Sequence, residues 1–217
     1  MITIDHILIS CANVQKSKQS FSDKFGAPFE IGGAHPGQGT MNALGSFGDG
    51  AYCELIGPDP NQSAQPHWLK NATDGALFHW AANCSNLSAV AEILEQNGLG
   101  HSGVIDGQRN AENGALLKWR VLFPEPSAFG ALLPFFIDWQ DTPHPSQSSP
   151  VIGSLKTLSF ITPTMEKQKD LFSELGFSAD IEHGNTAGLQ ATISTVNGDV
   201  RIRSADPLGD GVSPFDH

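Results

Sequence analysis

The stretch "TIDHILISCANV" at residues 3–14 and the stretch "LFHWAANCSNL" at residues 77–87 share one pattern. Each is a short apolar run with a histidine near its start, closed by small polar residues that open a helix. On a strand, side chains two apart share a face. His6 therefore stands with Ile4, Leu8 and Ser10, while Asp5, Ile7 and Ile9 point to the side expected to carry the helix. In the second stretch Leu77, His79, Ala81 and Asn83 form the first face and Phe78, Trp80 and Ala82 the other. One histidine so placed is ordinarily a satisfied core or rim residue. Two at matching places ask for a common cause.

The pattern continues downstream of each histidine. After His6, "NVQKSKQSFSDKFG" reads as a helix with Asn13 as N-cap and Gly26 as its stop, although Lys16 takes the place of a capping-box acid. After His79, Leu87, Val90, Ala91 and Leu94 fall at helical spacing and Gly98 closes the helix. A third copy, "KTLSFITPTMEKQKDLFSELG", carries Leu171, Phe172 and Leu175 on its apolar face, ends at Gly176, and has Thr157 in the histidine's place. Three segments of strand character follow each helix. They lie near 28–35, 41–47 and 51–57, then 101–108, 115–123 and 133–139, then 180–183, 187–196 and 199–204. The chain thus reads as three βαβββ units near 1–60, 76–140 and 153–205, with a tail at 206–217. The joins are "DPNQSAQP", before a short helix at 67–72, and the Pro/Ser-rich "DTPHPSQSSPVIG". The fold class expected is α+β: a domain over 1–140 whose two modules form a cupped mixed sheet, plus a degenerate third module.

Composition narrows the function. Hydrophobic residues make up 39% of the 217, with 13 Phe and 4 Trp, enough for a packed core. The formal net charge is −11 with only 12 Lys and Arg, which argues against nucleic acid, whose binding runs on clustered cations. An anionic small molecule held by a few local cations remains compatible. Cys11, Cys53 and Cys84 have no CxxC spacing and read as buried thiols in a reducing compartment. "MITIDH" has neither a basic region nor an apolar run, and no apolar stretch approaches 18 residues, so the expectation is no signal peptide, no membrane span and a cytoplasmic location.

Paired βαβββ modules with a histidine on the first strand resemble the vicinal-oxygen-chelate superfamily of glyoxalase I, extradiol dioxygenases and bleomycin-resistance proteins. More narrowly, "GGAHPGQGTMNALGSFGDGAYCELI" at residues 32–56 resembles the bacterial glyoxalase-like domain family through its "HPGxGTxNAL" and "YxEL" stretches. The resemblance implies a divalent-metal site built from the first and last strand of each module. Carried over by position, its ligands are His6, Glu54, His79 and Asp138. Imidazoles with carboxylates suit Zn, Ni, Co, Mn or Fe(II). Asp138 departs from the usual Glu and is shorter by one methylene, which leaves a water-bridged ligand or a three-ligand site. With four ligands the implied chemistry is that of an isomerase or lyase, the metal polarising vicinal oxygens and Glu54 or Asp138 moving the proton. With three ligands and Fe(II) it is dioxygenation. The alternative is a metal-free protein that sequesters a small molecule, as resistance proteins of the superfamily do; the histidines then cap strand starts and the two carboxylates line a wet groove.

Further candidates surround this set. In the Gly-rich "GGAHPGQGT", His35, Thr40 and Asn42 are placed to donate to an oxyanion or carbonyl, or else to satisfy a tight turn. No Walker or dinucleotide motif is present there. In "GQRNAENGALLKWRVLF", Arg109, Lys118 and Arg120 form a cationic cluster in an acidic chain. The resemblance makes Arg109 the preferred anchor for a ligand carboxylate, since the glyoxalase-like family tends to carry an Arg before that strand, with Arg120 beside it and Lys118 better explained as solvated. The third unit has Thr157 and Arg203 where ligands would stand, so it is expected to hold no metal and to serve as scaffold, lid or homodimer surface.

Overall fold

In the computed structural model, residues 2–63, 65–70, 72–110, 114, 116–209 and 211–212 are described. The first unit comprises β1 (Thr3–Ser10), α1 (Val14–Phe25), β2 (Glu30–His35), β3 (Thr40–Ser46) and β4 (Tyr52–Pro58). The short α2 (His67–Lys70) leads to the second unit: β5 (Leu77–Asn83), α3 (Leu87–Gln96), β6 (His101–Asn110), β7 (Leu116–Pro124) and β8 (Phe135–Asp138). The helices begin and end where the sequence marks them. Asn13 accepts the Lys16 amide, Asn86 accepts that of Ala89, and Gly26 takes the left-handed conformation at φ 70° with its amide on Ser22 O.

These strands form one mixed sheet in the order β2-β3-β4-β1-β5-β8-β7-β6. Within each unit the first and last strands pair in parallel, β1 with β4 and β5 with β8, while β1 and β5 meet antiparallel at the centre. There Leu8 pairs with His79 and His6 with Ala81. That reciprocity is what a two-fold relation between the units requires if His6 corresponds to His79 and Leu8 to Ala81. The edge strands β2 and β6 approach each other, joined where the Arg109 guanidinium donates to Gly32 O. The sheet is therefore a cup.

The third unit holds β9 (Ser154–Thr162), α4 (Met165–Glu174), β10 (Asp180–His183), β11 (Gly188–Thr195) and β12 (Gly198–Arg203). Its element order repeats the others, but its sheet order does not. The strands run β10-β9-β11-β12, with β10 parallel beside β9. The expected repeat of module topology is corrected here: periodicity and Gly stops specify elements but not which strand edges pair. From α4 the chain returns directly alongside β9, where the Ser159 hydroxyl donates to Asp180 at 2.8 Å. This unit packs behind the cup. Trp80, on the convex face of β5, lies 5.0 Å from the rings of both Phe160 and Phe177, and 6.0 Å from Phe172. Buried residues of all three units belong to one apolar core. Among the described residues no helix is long and apolar enough to cross a membrane.

Candidate functional site

The cup encloses a cavity of about 430 Å³. Its polar side is built on β1, β3 and β4. His6 and Tyr52 are register partners across β1 and β4, their rings stacked at 4.5 Å, and Glu54 pairs beside Leu8 one step further along the same face. His6 Nε2 thereby reaches Glu54 Oε2 at 3.3 Å. Asn42, on the neighbouring β3, donates from Nδ2 to Glu54 Oε1 at 2.7 Å.

Sequence reasoning missed Asp5. Alternation sends it away from His6, but a β-bulge interrupts the pairing between Ile4 and His6 and relaxes that rule. Asp5 Oδ1 meets His6 Nδ1 at 2.6 Å, while Oδ2 accepts from Asn83, Trp139 Nε1 and His144 Nε2 at 2.9–3.1 Å. The available signal was an acid inside an otherwise apolar strand, since a buried carboxylate must find donors.

His6 is thus flanked by two carboxylates. Burial alone would lower its pKa, but the hydrogen bonds and charges of Asp5 and Glu54 outweigh burial and raise it to about 9. Burial alone would raise Glu54, yet His6, with His35 and Asn42, lowers it to about 2. Asp5 is held well below the usual carboxylate range, His144 and His6 outweighing its burial. At neutral pH the site is a buried imidazolium between two carboxylates.

The three candidates of the Gly-rich segment gather near Glu54 in unequal roles. His35 donates from Nδ1 to Thr40 Oγ1 at 2.8 Å, and its Nε2 receives Asn42 Nδ2 at 3.3 Å. Burial, with Arg109 and His6 nearby, lowers its pKa and keeps it neutral. His35 and Asn42 line the cavity; Thr40 sits behind them and orients the ring. The loop amides of Gly37 and Gly39 donate to Gln62 Oε1, so an internal side chain holds the turn. Arg109, buried at the rim, faces the same cavity.

His79, Asp138 and Arg120 lie elsewhere. Along β8 it is Phe135, Ile137 and Trp139 that line the cavity. Asp138 turns outward into an ion pair with Arg120, in a shallow surface hollow with Lys118 and Gln140. The resemblance carried Asp138 over by position, but the strand's alternation sends it to the outer face. Register shows why: Glu54 lies beside Leu8, and the residue beside the equivalent Ala81 is Phe135. The place of a second carboxylate is therefore filled by an aromatic ring. That ring stands 5.5 Å from the rings of both His6 and His79, between the two. His79 is satisfied by backbone, with Nε2 on Leu133 O at 3.1 Å and Nδ1 accepting the Val212 amide at 3.0 Å. Burial lowers its pKa to about 4, so it is neutral.

The expected ligand set His6, Glu54, His79 and Asp138 does not converge, and among the described residues no group of three His, Cys, Asp or Glu is arranged to hold a metal ion. With Phe135 in one ligand position and both nitrogens of His79 engaged, the donors present do not fit the implied divalent centre. In the third unit Arg203 donates to Gln190 at 2.7 Å.

The glyoxalase-like domain model matches residues 4–176. The chain belongs to the glyoxalase-like domain family. The glyoxalase-like match runs past the two-module cup through β9 and α4. Among solved structures, a hypothetical protein from Staphylococcus aureus aligns with a TM-score of 0.66 at 16% identity, over 94% of this chain and 86% of that one. A methylmalonyl-CoA epimerase from Streptomyces coelicolor, in complex with 2-nitronate-propionyl-CoA, aligns at 0.49 and 22% identity, over 66% of this chain and 98% of that one. The epimerase from Mycobacterium tuberculosis aligns at 0.46 and 19% identity, over 63% and 87%. At such identities the likeness is one of fold. No curated protein matches.

Proposed function

We propose that this glyoxalase-like chain binds a small oxygenated organic molecule in its cup and moves a proton on the carbon beside a carbonyl, as an isomerase or lyase. The observation that carries this is the contact of Glu54 with His6 on the cavity wall, an ionised base beside a cationic acid. Glu54 takes the proton from carbon, His6 Nε2–H bonds the oxygen on which negative charge develops, and the proton returns at the same or the neighbouring carbon. The pair is self-adjusting. A ligand oxygen that accepts the His6 N–H breaks the bond that depresses Glu54, so the base strengthens as the acid engages. The chain's own residues perform each of these steps.

A second reading, sequestration without chemistry, is favoured by the completeness of the His6–Glu54 pair and the absence of a second carboxylate at Phe135. Proton exchange separates the two. In D₂O, with a panel of small 2-oxo acids followed by ¹H NMR, exchange above the protein-free rate is expected. Glu54→Gln is expected to slow it by about 10²–10⁴-fold while ligand binding persists. Binding with no exchange in the parent protein would establish sequestration instead.

A further inference from the structure

Away from the His6–Glu54 pair the cavity wall is aromatic, and three of the chain's four tryptophans line it: Trp68, Trp119 and Trp139. Their faces are fixed. Trp139 spends its indole N–H on Asp5, and Trp68 stacks on Phe78 at 5.2 Å. Trp119 lies flat across β6, where a Cβ on Gly107 would stand 2.3 Å from its indole nitrogen. Glycine at that position is what lets the indole serve as wall. Fixed aromatic faces favour a flat apolar body.

The polar end is small. Among the described residues that line the cavity, Arg109 is the one Lys or Arg, set against Glu54 and Asp106. Asn42 Oδ1 is buried and has no hydrogen-bond partner among the described residues. Its amide orientation is fixed, because Nδ2 must face the Glu54 carboxylate. Both groups border Gly32: Arg109 donates to its carbonyl, and Asn42 Oδ1 lies 2.4 Å from where its Cβ would be. A cation and an unfilled acceptor at one spot call for one anionic group with a hydroxyl beside it.

We infer that the ligand is a compact aromatic monoanion, a hydroxy acid whose ring meets the tryptophan wall and whose carboxylate and hydroxyl meet Arg109 and Asn42. The inference rests on the reading of the cup as the working site and adds the substrate class. Ligands as large as CoA thioesters fall outside this class by size, since about 430 Å³ lies at the small end of ligand cavities.

The test uses the tryptophans as reporters, because Trp80 alone sits behind the sheet. Intrinsic fluorescence of the full chain is titrated with 3-phenyllactate, 2-hydroxyhexanoate and propionyl-CoA. The expected result is saturable quenching by 3-phenyllactate, with the aliphatic acid binding at least about tenfold more weakly and the thioester not competing. Trp119→Leu is expected to shrink the preference for the aromatic acid, and Arg109→Gln to weaken both acids by about tenfold, a loss of about 1.4 kcal/mol; Arg109→Lys, which keeps the charge, is expected to recover part of it. Equal affinity for the two acids overturns the aromatic class. Tighter binding of the thioester, or no binding of 3-phenyllactate, overturns the inference outright. Binding without proton exchange on any carbonyl compound defeats the proposed reaction and leaves the ligand class standing; exchange on other compounds without binding of 3-phenyllactate does the reverse.

Discussion

His6 carries more of the site than any other side chain, because it holds a charge between two carboxylates in a place that water barely reaches. Its raised pKa makes stability depend on pH in a definite direction. Rising from 6.5 to about 9 on folding, His6 contributes stability that is complete below pH 6.5 and lost as pH climbs through about 9. His79 works oppositely: lowered from 6.5 to about 4, it removes stability as pH falls across that interval. Glu54, lowered from 4.5 to about 2, contributes stability that is lost at still lower pH. The thermal midpoint is therefore expected to peak near pH 6.5 and fall on both sides. In His6→Gln the alkaline fall between 6.5 and 9 should flatten, as calorimetry across pH would show; an unchanged alkaline limb would mean that His6 is not the group titrating. At this scale alternation and repeat singled out His6 and the resemblance added Glu54, and the register of β1 with β4 brings the two together. The sequence misled at Asp138, where the position carried over from the resemblance falls on the outward face, and at Asp5, where a bulge cancels the alternation rule. His79 matched His6 in position, yet its environment depends on Leu133 and Val212, residues far away in sequence.

At the scale of elements, Asp5 ties β1 to its ladder partner β5 and also to segments that no ladder joins to it. From β1 it reaches Asn83 at the end of β5, Trp139 just after β8 and His144 in the join to the third unit. Asp5→Asn keeps the shape but removes the charge opposite His6 and a pair of acceptor sites. A loss of about 3 kcal/mol is expected in urea unfolding, together with a fall in the His6 pKa visible by NMR. A loss below about 1 kcal/mol would show that the network is peripheral. The elements themselves were readable from the sequence, because Asn caps, Gly stops and apolar spacing are local signals: α1 begins after Asn13 and stops at Gly26 as expected. Strand pairing is not local. Thus β10 lies beside β9, although the pattern of residues in the third unit follows the first two.

For the whole molecule, the third unit is the outer half of a core whose inner half is the convex face of the cup. A chain ending at residue 150 would expose Trp80, which packs on Phe160, Phe172 and Phe177, and is expected to aggregate or to unfold without cooperativity. Phe160→Ala in the full chain, removing one ring from the cluster around Trp80, is expected to cost about 3–5 kcal/mol. A soluble, cooperatively folding truncation would show that the cup needs no backing. That backing holds β5 in place, and β5 holds Phe135 against the cup through the β5–β8 ladder. The central claim is that the cup works through Glu54 and His6, with Phe135 where a second metal-binding carboxylate would stand. The most direct test is α-proton exchange in D₂O by protein stripped with a chelator, then assayed with and without added Zn²⁺, Ni²⁺, Co²⁺ or Mn²⁺. The account predicts full exchange without added ions, slowed by about 10²–10⁴-fold in Glu54→Gln and indifferent to Asp138→Ala; exchange that appears only with an added ion and vanishes in Asp138→Ala would contradict it.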